Sequence, residues 1–229
     1  MVTMMPFATV KAANRGSGLD APAEPGLSRP HGYPGKRAFD LLLVFLAMPL
    51  LLSLIGVLAI LVAMDGGNPF FLQRRVGRNG RVFRMIKLRT MVPDAERCLQ
   101  SHLDASPEAQ SEWDRFQKLS GDPRVTAIGQ VLRRTSLDEL PQFFNVLAGD
   151  MSLVGPRPML AEQAGLYPGR AYYRMRPGIT GPWQVSDRNA VSFADRAKYD
   201  LMYYRSQSLL SDLGYLFRTI WTVCRMSGR

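Results

Sequence analysis

The apolar residues of the chain are most concentrated in residues 41–64, a stretch that contains no charged side chain and is flanked by Asp40 and Asp65. A stretch of this length is sufficient for an α-helix that crosses a bilayer. A buried core helix of a soluble protein is usually shorter. The pattern therefore predicts a membrane helix.

Charges on both sides of this stretch argue against simple spanning. Lys36 and Arg37 precede it, and a larger basic cluster follows it, consisting of Arg74, Arg75, Arg78, Arg81, Arg84, Lys87 and Arg89. A spanning helix has its basic residues mainly on the cytoplasmic side, and here both flanks fit that side. Pro49 removes a backbone hydrogen bond and can kink the helix. We therefore predict a re-entrant helix over residues 36–66, broken at Pro49; a straight span oriented by the downstream cluster is the alternative.

The next segment, residues 68–89, contains two short and partly alternating runs of polar and apolar residues. Asn79-Gly80, between the two runs, is a strong signal for a tight turn, so we expect a β-hairpin. Residues 93–119 are polar and favour helix, with apolar side chains at three-residue steps. They predict amphipathic helices to which we assign no chemistry.

The two ends of the chain differ in character. Residues 1–35 are rich in Ala, Gly and Pro and lack apolar periodicity, which predicts a disordered tail. Residues 192–226 predict two helices, and the second of them carries Tyr215, Phe217 and Trp221. Such a helix suits the membrane interface, although packing on the core fits equally well.

These elements together predict a mostly helical protein of the α+β class. We expect a small cytosolic domain over residues 67–229, with a β-hairpin and interfacial helices, seated on the re-entrant membrane helix.

The composition of the chain restricts the classes of partner and of chemical site that it can have. The chain has 229 residues and a formal net charge of +10, which calls for nucleic acid, acidic lipid or a phosphorylated substrate. Cys98 and Cys224 are far apart and match no metal or disulfide pattern. His31 and His102, the only histidines, lack partners at ligand spacing, so zinc and Ser-His chemistry are poorly supported.

Candidate chemistry is concentrated at Asp138 and Glu139, which precede an apolar run with helical spacing that Gly149 would end. The start of this helix has two solutions. Ser136 with Glu139 forms a capping-box pattern, whereas Pro141 fits the first turn better if Asp138 is the N-cap. Either start places both carboxylates at the positive end of a helix, where acidic residues commonly serve only as caps.

The neighbouring cations favour a functional interpretation of these carboxylates. Arg133 and Arg134 precede them and Arg157 follows in a Gly-Pro-Arg-Pro loop. Arginine forks match phosphate oxygens, while carboxylates can hold a divalent cation or attack an electrophile. This combination indicates phosphoryl chemistry. Lys87 and Arg89 are predicted to line the same anion site, and acidic lipid is the alternative partner for them.

Six motifs occur in an order that resembles a known family: KRAFD at 36–40, KLRTM at 87–91, DPRVT at 122–126, LRRTSLDELPQ at 132–142, GDMSLVGPRP at 149–158 and RPGITG at 176–181. Together they resemble the monotopic bacterial phosphoglycosyl transferases, also called bacterial sugar transferases. The resemblance covers residues 36–229 and is closest to the short members that start exopolysaccharide repeat units, which lack the N-terminal bundle of spanning helices.

The chain also departs from the pattern of this family. Met48-Pro49 stands where Ser-Pro is common at the helix break, and Leu88 stands where Phe is usual. Ser186-Asp187 replaces a Ser-Gly or Asn-Gly pair, which leaves recognition of the sugar less defined. None of these positions carries the predicted chemistry.

The resemblance implies transfer of a sugar 1-phosphate from a UDP-sugar to undecaprenyl phosphate, with release of UMP, at the cytoplasmic face of the bacterial inner membrane. The carboxylate that matches Asp138 would attack the sugar-side phosphorus and form a covalent aspartyl-phosphosugar intermediate. The residue that matches Glu139 would hold Mg²⁺, and those that match Arg133 and Arg157 would bind phosphate. UDP-galactose or UDP-glucose is the expected donor, and the oligomeric state stays open.

Two other functions fit parts of the sequence. A membrane-anchored nucleic-acid-binding protein would explain the charge of +10, but the basic cluster has no recognisable binding module, so we expect no nucleic acid partner. A non-catalytic scaffold of polysaccharide assembly would not need Asp138, Glu139, Arg133 and Arg157 together.

Overall fold

The computed structural model describes residues 32–116, 119–186 and 195–224. Residues 1–31 of the predicted tail lie outside these ranges. Residues 187–194, which include Asp187 of the Ser186-Asp187 pair, also lie outside them. The helices are α1 (Lys36–Ala63), α2 (Ala95–Ala105), α3 (Pro107–Phe116), α4 (Ala127–Thr135), α5 (Gln142–Ala148), α6 (Ala171–Arg174), α7 (Arg196–Ser206) and α8 (Leu209–Cys224). The strands are β1 (Phe70–Val76), β2 (Val82–Leu88), β3 (Ser152–Val154) and β4 (Gly178–Thr180).

Strands β1 and β2 form the predicted hairpin. They pair antiparallel from Phe70 opposite Leu88 to Val76 opposite Val82. The turn places Asn79 at φ 58° and Gly80 at φ 76°, a left-handed conformation that Asn and Gly adopt at low cost. The fold class of a mostly helical α+β protein with a small hairpin is thus confirmed.

Asn145 of α5 joins this hairpin to the rest of the domain. Its side-chain oxygen accepts a hydrogen bond from the Ile86 N–H (2.9 Å), and its amide donates to the Arg84 carbonyl (2.8 Å). The amide therefore satisfies two backbone groups on the open edge of β2, which fixes α5 against the strand.

The second sheet is a parallel pair that brings two distant loops together. Ser152 and Val154 of β3 are in register with Gly178 and Thr180 of β4. A Cβ atom on Gly178 would lie 2.1 Å from the Gly155 nitrogen, so the two backbones can approach only because residue 178 is glycine. This packing sets the loop that contains Arg157 beside residues 176–181.

Helix α1 continues through Pro49. The proline leaves the Phe45 carbonyl without its helical N–H partner. The hydroxyl of Ser53 donates to the Pro49 carbonyl (3.1 Å), a bond within the helix that does not replace the missing one. The structure thus assigns a single helix to residues 36–63, with Pro49 inside it, and the predicted re-entrant break at Pro49 stays a prediction.

One face of α1 packs on the domain and the other is open. Val44, Leu51, Ile55 and Val62 are buried and lie on one side at helical spacing. The opposite side exposes leucine, isoleucine and phenylalanine side chains. Among the described residues, α1 is the one helix whose length and composition would allow it to cross a membrane, and only 17% of its most apolar window is buried.

Both ends of α1 are fixed to the domain. At the N-terminal end, Arg37 donates to the carbonyls of Val146 (2.6 Å) and Leu147 (3.1 Å) in α5. At the C-terminal end, Arg89 Nη2 donates to the Val62 carbonyl (2.9 Å). The helix thus lies along the domain from end to end.

A buried polar network, hereafter the Asp212 network, fixes the N-terminal end further. Fully buried Asp212 of α8 accepts hydrogen bonds from Lys36 Nζ (2.6 Å), the Tyr203 hydroxyl (2.6 Å) and the Tyr33 hydroxyl (3.2 Å). Asp40, also buried, accepts from the Ser152 hydroxyl (2.7 Å). The network connects α1, α7, α8 and β3, so each buried charge has a partner.

Helix α8 combines the two roles that its sequence left open. Tyr215 and Leu216 are partly buried against the core. Phe217 and Trp221 remain exposed, at 69% and 62%. The exposed aromatic side is the type of surface that enters a lipid headgroup region.

Candidate active site

The carboxylate pair, Asp138 and Glu139, lies in a short 3₁₀ turn (Leu137–Glu139) between α4 and α5. Both predicted helix starts are wrong. Ser136 ends α4 in a left-handed conformation (φ 58°), so it cannot adopt the extended backbone of a capping box, and α5 begins only after Pro141. The carboxylates are therefore held by a tight turn before the helix.

Lys87 of β2 reaches both carboxylates. Its Nζ lies 2.7 Å from Glu139 Oε1 and 3.6 Å from Asp138 Oδ2. The hairpin places Lys87 on the face that packs on α5, and Asn145 fixes the neighbouring backbone of Ile86. The structure therefore joins Lys87 to the carboxylate pair, whereas the sequence alone left open a contact with lipid.

The electrostatic environment of Asp138 is mixed. Burial raises the pKa of its carboxyl group, and the negative charge of Glu139 raises it further. The positive charges of Lys87 and Arg133 oppose this increase, and the net pKa is above the usual value. Asp138 is thus a largely desolvated carboxylate whose charge depends on adjacent cations, which is a common state for catalytic carboxylates.

Arg133 approaches the pair from the last turn of α4. Its Nε donates to the Thr90 hydroxyl (2.9 Å). Helix α4 can lie this close because a Cβ on Gly129 would be only 2.1 Å from the Thr90 carbonyl oxygen. Arg133 is therefore held by Thr90, and its positive charge lowers the pKa of Asp138; phosphate binding by Arg133 stays a prediction.

Arg89 has a different position from the one expected. Its hydrogen bond to the Val62 carbonyl places it at the end of α1, and its Nε and Nη1 are buried without a hydrogen-bond partner among the described residues. The structure gives Arg89 the role of attaching the hairpin to α1, a contact that the sequence did not indicate.

Arg157 lies in the loop after β3, with its guanidinium carbon 5.5 Å from the centre of the Trp183 ring. Arg75 of β1 supports this loop by donating to the Pro158 carbonyl (3.1 Å). Burial and the charge of Arg157 lower the pKa of Arg75, whereas the nearby charge of Glu139 raises it. Arg75 is therefore close enough to interact with both Glu139 and Arg157, although the sequence assigned it to the lipid-facing cluster.

The donor set agrees with a magnesium ion that is shared with a substrate. Among the described residues, no cluster of three or more His, Cys, Asp or Glu side chains could hold a metal alone. Magnesium commonly takes one or two carboxylates together with substrate phosphates and water. Glu139 lies at the surface of the turn and could supply one such carboxylate. The Glu139 carboxylate would then contact both Lys87 and the ion.

Comparison with known proteins identifies the class of this fold and site. The family model described as bacterial sugar transferase matches residues 32–226, and the chain belongs to this family. The resemblance carried by the six motifs is therefore confirmed, as is the expectation of a sugar-phosphate-transferring enzyme.

Individual relatives refine this picture. The exopolysaccharide production protein ExoY of Sinorhizobium fredii is 46% identical over 213 residues, which covers 90% of this chain and 93% of the relative. The UDP-galactose-lipid carrier transferase of Erwinia amylovora is 45% identical over 195 residues, with 84% of this chain and 41% of the relative covered. The undecaprenyl-phosphate galactose phosphotransferase of Salmonella typhimurium is 43% identical with the same coverage.

Proposed function

We propose that this protein transfers a hexose 1-phosphate from a UDP-sugar to undecaprenyl phosphate and releases UMP, as the first membrane step of exopolysaccharide synthesis. The observation that carries the proposal is the contact of Lys87 with the Asp138–Glu139 pair. A cation that bridges two carboxylates beside further arginines suits a reaction between two polyanions. The names of the ExoY and galactose phosphotransferase relatives support both the product and the carrier.

The chemistry proceeds in two displacements on one phosphorus. An Asp138 carboxylate oxygen bonds to the sugar-side phosphorus while the bond from that phosphorus to the UMP oxygen breaks, and UMP leaves with the electron pair. An oxygen of the lipid phosphate then bonds to the same phosphorus, and the Asp138 carboxylate is released. The covalent step means that the two anionic substrates need not be bound together.

The surrounding side chains bind and orient charge in this scheme. Lys87 holds the Asp138 and Glu139 side chains in place and stabilises the ionised carboxylate that attacks. Arg133 and Arg157 bind phosphate oxygens with their planar forks. Glu139 would hold Mg²⁺, which supplies further neutralisation of phosphate charge when it is bound.

The donor sugar is proposed as galactose, with glucose as the second choice. Two of the relatives carry galactose in their names, and a relative from Komagataeibacter xylinus, 39% identical, is an undecaprenyl-phosphate glucose phosphotransferase. Detergent-solubilised protein assayed with undecaprenyl phosphate, Mg²⁺ and a panel of UDP-sugars tests this proposal. Release of UMP with UDP-galactose supports it, and absence of UMP with every donor contradicts it.

The membrane arrangement is proposed as re-entrant, on the cytoplasmic face of the inner membrane. A helix of this length extends about 42 Å at 1.5 Å per residue, more than the roughly 30 Å hydrocarbon core. Its two ends nevertheless contact the same domain, through Arg37 at one end and Arg89 at the other. A helix that crossed the bilayer would separate these ends, so the contacts favour a helix that dips into one leaflet and exposes its open face to lipid.

This topology predicts the labelling of single cysteines. With Cys98 and Cys224 replaced, cysteines at exposed Pro34 and Asp65 should both be protected from a membrane-impermeant reagent in intact cells and react in inverted vesicles. Labelling of position 34 alone in intact cells would show a spanning helix. Pro49→Leu supplies the backbone N–H that the proline lacks and should increase the spanning fraction.

The hairpin provides a separate prediction about lipid contact. Arg74 and Arg84 are exposed and directly opposite each other across the strands, an arrangement that repels unless an anion lies between or near them. Changing each of them to Gln should weaken binding to vesicles with acidic lipid by about 1 kcal/mol per residue and leave turnover in neutral detergent unchanged. If variants of Arg74, Arg84 and Lys87 lost turnover equally in detergent, this would contradict the separation of lipid-binding arginines from the active-site lysine.

A further inference from the structure

Phe71 is half exposed on the face of the β1–β2 hairpin that packs on the domain. In an antiparallel hairpin, directly opposite residues and every second residue along each strand share one face. Phe83 and Met85 lie on this face and are buried in the hydrophobic core, at 7% and 3% exposure. Phe71, opposite Lys87, belongs to the same face but is 51% exposed. The domain thus covers the face near the turn and leaves it open where β1 begins.

The open end of this face adjoins the carboxylate pair. The Nζ of Lys87, the residue opposite Phe71, lies 2.7 Å from Glu139 Oε1 and 3.6 Å from Asp138 Oδ2. The Cβ atoms of directly opposite residues in such a hairpin are about 5 Å apart. Phe71 therefore borders the candidate active site, and an apolar group bound beside the carboxylates would cover its ring.

The same face changes from apolar to basic along β1. Arg75 is four residues closer to the turn than Phe71, a distance of about 13 Å along a strand. It donates to the Pro158 carbonyl (3.1 Å) and interacts with the charge of Arg157. Arg157, which binds phosphate in our scheme, thus adjoins the part of the face near the turn, whereas Phe71 adjoins the start of the strand.

The start of β1 is joined to the C-terminal end of α1, the helix that we propose to lie in the bilayer. The backbone N–H of Arg89 donates to the Pro69 carbonyl (2.8 Å), and its Nη2 donates to the Val62 carbonyl (2.9 Å). Met64, at the same end of α1, is 76% exposed. Phe71 therefore lies where the active site is nearest to the end of the proposed membrane helix.

We propose that Phe71 contacts the first isoprene units of the lipid acceptor, next to its phosphate, during the second displacement. This inference rests on the proposed function. A phenylalanine ring offers a phosphate no hydrogen bond, so its exposure beside the carboxylates suits an apolar part of a ligand. The acceptor is an amphiphile that enters from the membrane, and its hydrocarbon chain begins directly at the phosphate that reacts. A uracil base stacked on the ring and bulk phospholipid are the other occupants that the experiment distinguishes.

Phe71→Thr tests the contact, because threonine retains the preference for a strand and removes the ring. In a reaction with two separate displacements, kcat/KM for each substrate reports only on its own step. In neutral detergent, kcat/KM for undecaprenyl phosphate should fall about tenfold, the scale expected when a partly covered apolar side chain loses its contact. The value for the UDP-sugar should change by less than about threefold. Phe71→Leu, which keeps an apolar side chain, should fall between the wild type and Phe71→Thr.

Leu72→Thr is the matched control. Leu72 is 52% exposed on the same strand but lies on the opposite face, with Arg74. The control should leave kcat/KM for both substrates unchanged. Equal losses from both threonine variants, with equally weakened binding to vesicles, would show that Phe71 only anchors the hairpin in lipid and would overturn the proposal. A loss confined to the UDP-sugar would assign the ring to the nucleotide, and unchanged constants would overturn the contact altogether.

A binding measurement separates this inference from the proposed reaction. Calorimetry in neutral detergent should show that the wild-type protein binds farnesyl phosphate at least about tenfold more tightly than inorganic phosphate. Phe71→Thr should lose this preference and Leu72→Thr should keep it. If no UDP-sugar releases UMP but the preference depends on Phe71, the proposed function fails and the isoprenoid contact stands. If UMP is released but the preference is absent in the wild type or unchanged in Phe71→Thr, the contact fails alone.

Discussion

Replacing Asp138 by Asn is expected to lower the rate of UMP release by about 10³-fold or more, while the Kd for the UDP-sugar changes by less than about threefold. The amide keeps the size of the side chain but cannot form an acyl phosphate with the sugar-side phosphorus. The contacts that bind donor phosphate in our scheme, from Arg133 and Arg157, are left in place. The rate is measured in a single turnover without lipid, and donor binding is measured by calorimetry.

Detection of the covalent intermediate tests this prediction most directly. Wild-type protein incubated with UDP-sugar and Mg²⁺, without lipid, should release one UMP and gain the mass of a hexose phosphate on the peptide that contains Asp138. Asp65→Asn, at an exposed carboxylate beyond α1, should behave like the wild type. UMP release only when lipid phosphate is present, with no modified peptide after rapid quenching, would indicate direct transfer and reduce Asp138 to a base or a metal ligand.

Replacing Asp212 by Ala is expected to reduce the free energy of unfolding by about 3–5 kcal/mol, because Lys36 would lose its partner at 2.6 Å in a largely buried place and keep only Asp40, 3.9 Å away. The Tyr203 hydroxyl would lose its acceptor as well. Thermal unfolding in detergent measures the change. Asp195→Ala breaks the exposed ion pair with Lys198 and should cost less than about 1 kcal/mol, which makes it the matched control.

A second substitution distinguishes loss of this ion pair from general damage to the core. Lys36→Met combined with Asp212→Leu removes both charges of this pair and should recover more than half of the loss, since neither member is left isolated and Asp40 keeps its hydrogen bond from Ser152. A double variant that is as unstable as Asp212→Ala alone would show that Lys36 is not the reason for the instability.

Local sequence signals predicted the elements that depend on neighbouring residues. Asn79-Gly80 was sufficient for the hairpin because a two-residue turn with positive φ accepts few other pairs. The absence of charge from residues 41–64 was sufficient for the long helix. A break at Pro49 stays a prediction: a proline signal reports only the lost hydrogen bond, and α1 is a single helix over residues 36–63 in which Leu51 and Ile55 are buried.

The candidate active site was predictable from the sequence only where its residues are neighbours in one motif. Asp138 and Glu139 could be identified because they are adjacent acids among arginines, and Arg133 lies in the same motif. Arg75 was not distinguished from the other basic residues of the hairpin, because its contact with the loop after β3 comes from the fold. The alternation that places Arg75 on the same hairpin face as Lys87 was available in the sequence and would have separated it from Arg74 and Arg84.

The Asp212 network has a consequence for biosynthesis. Lys36 leaves the ribosome 176 residues before its partner Asp212. At about 5–20 residues per second, this interval is about 9–35 s. During that time α1 can already be in the membrane, while Lys36 is still hydrated and has not met Asp212. The insertion machinery would therefore encounter Lys36 before the lysine pairs with Asp212. Asp212 would neutralise Lys36 only after the orientation of the helix has been set.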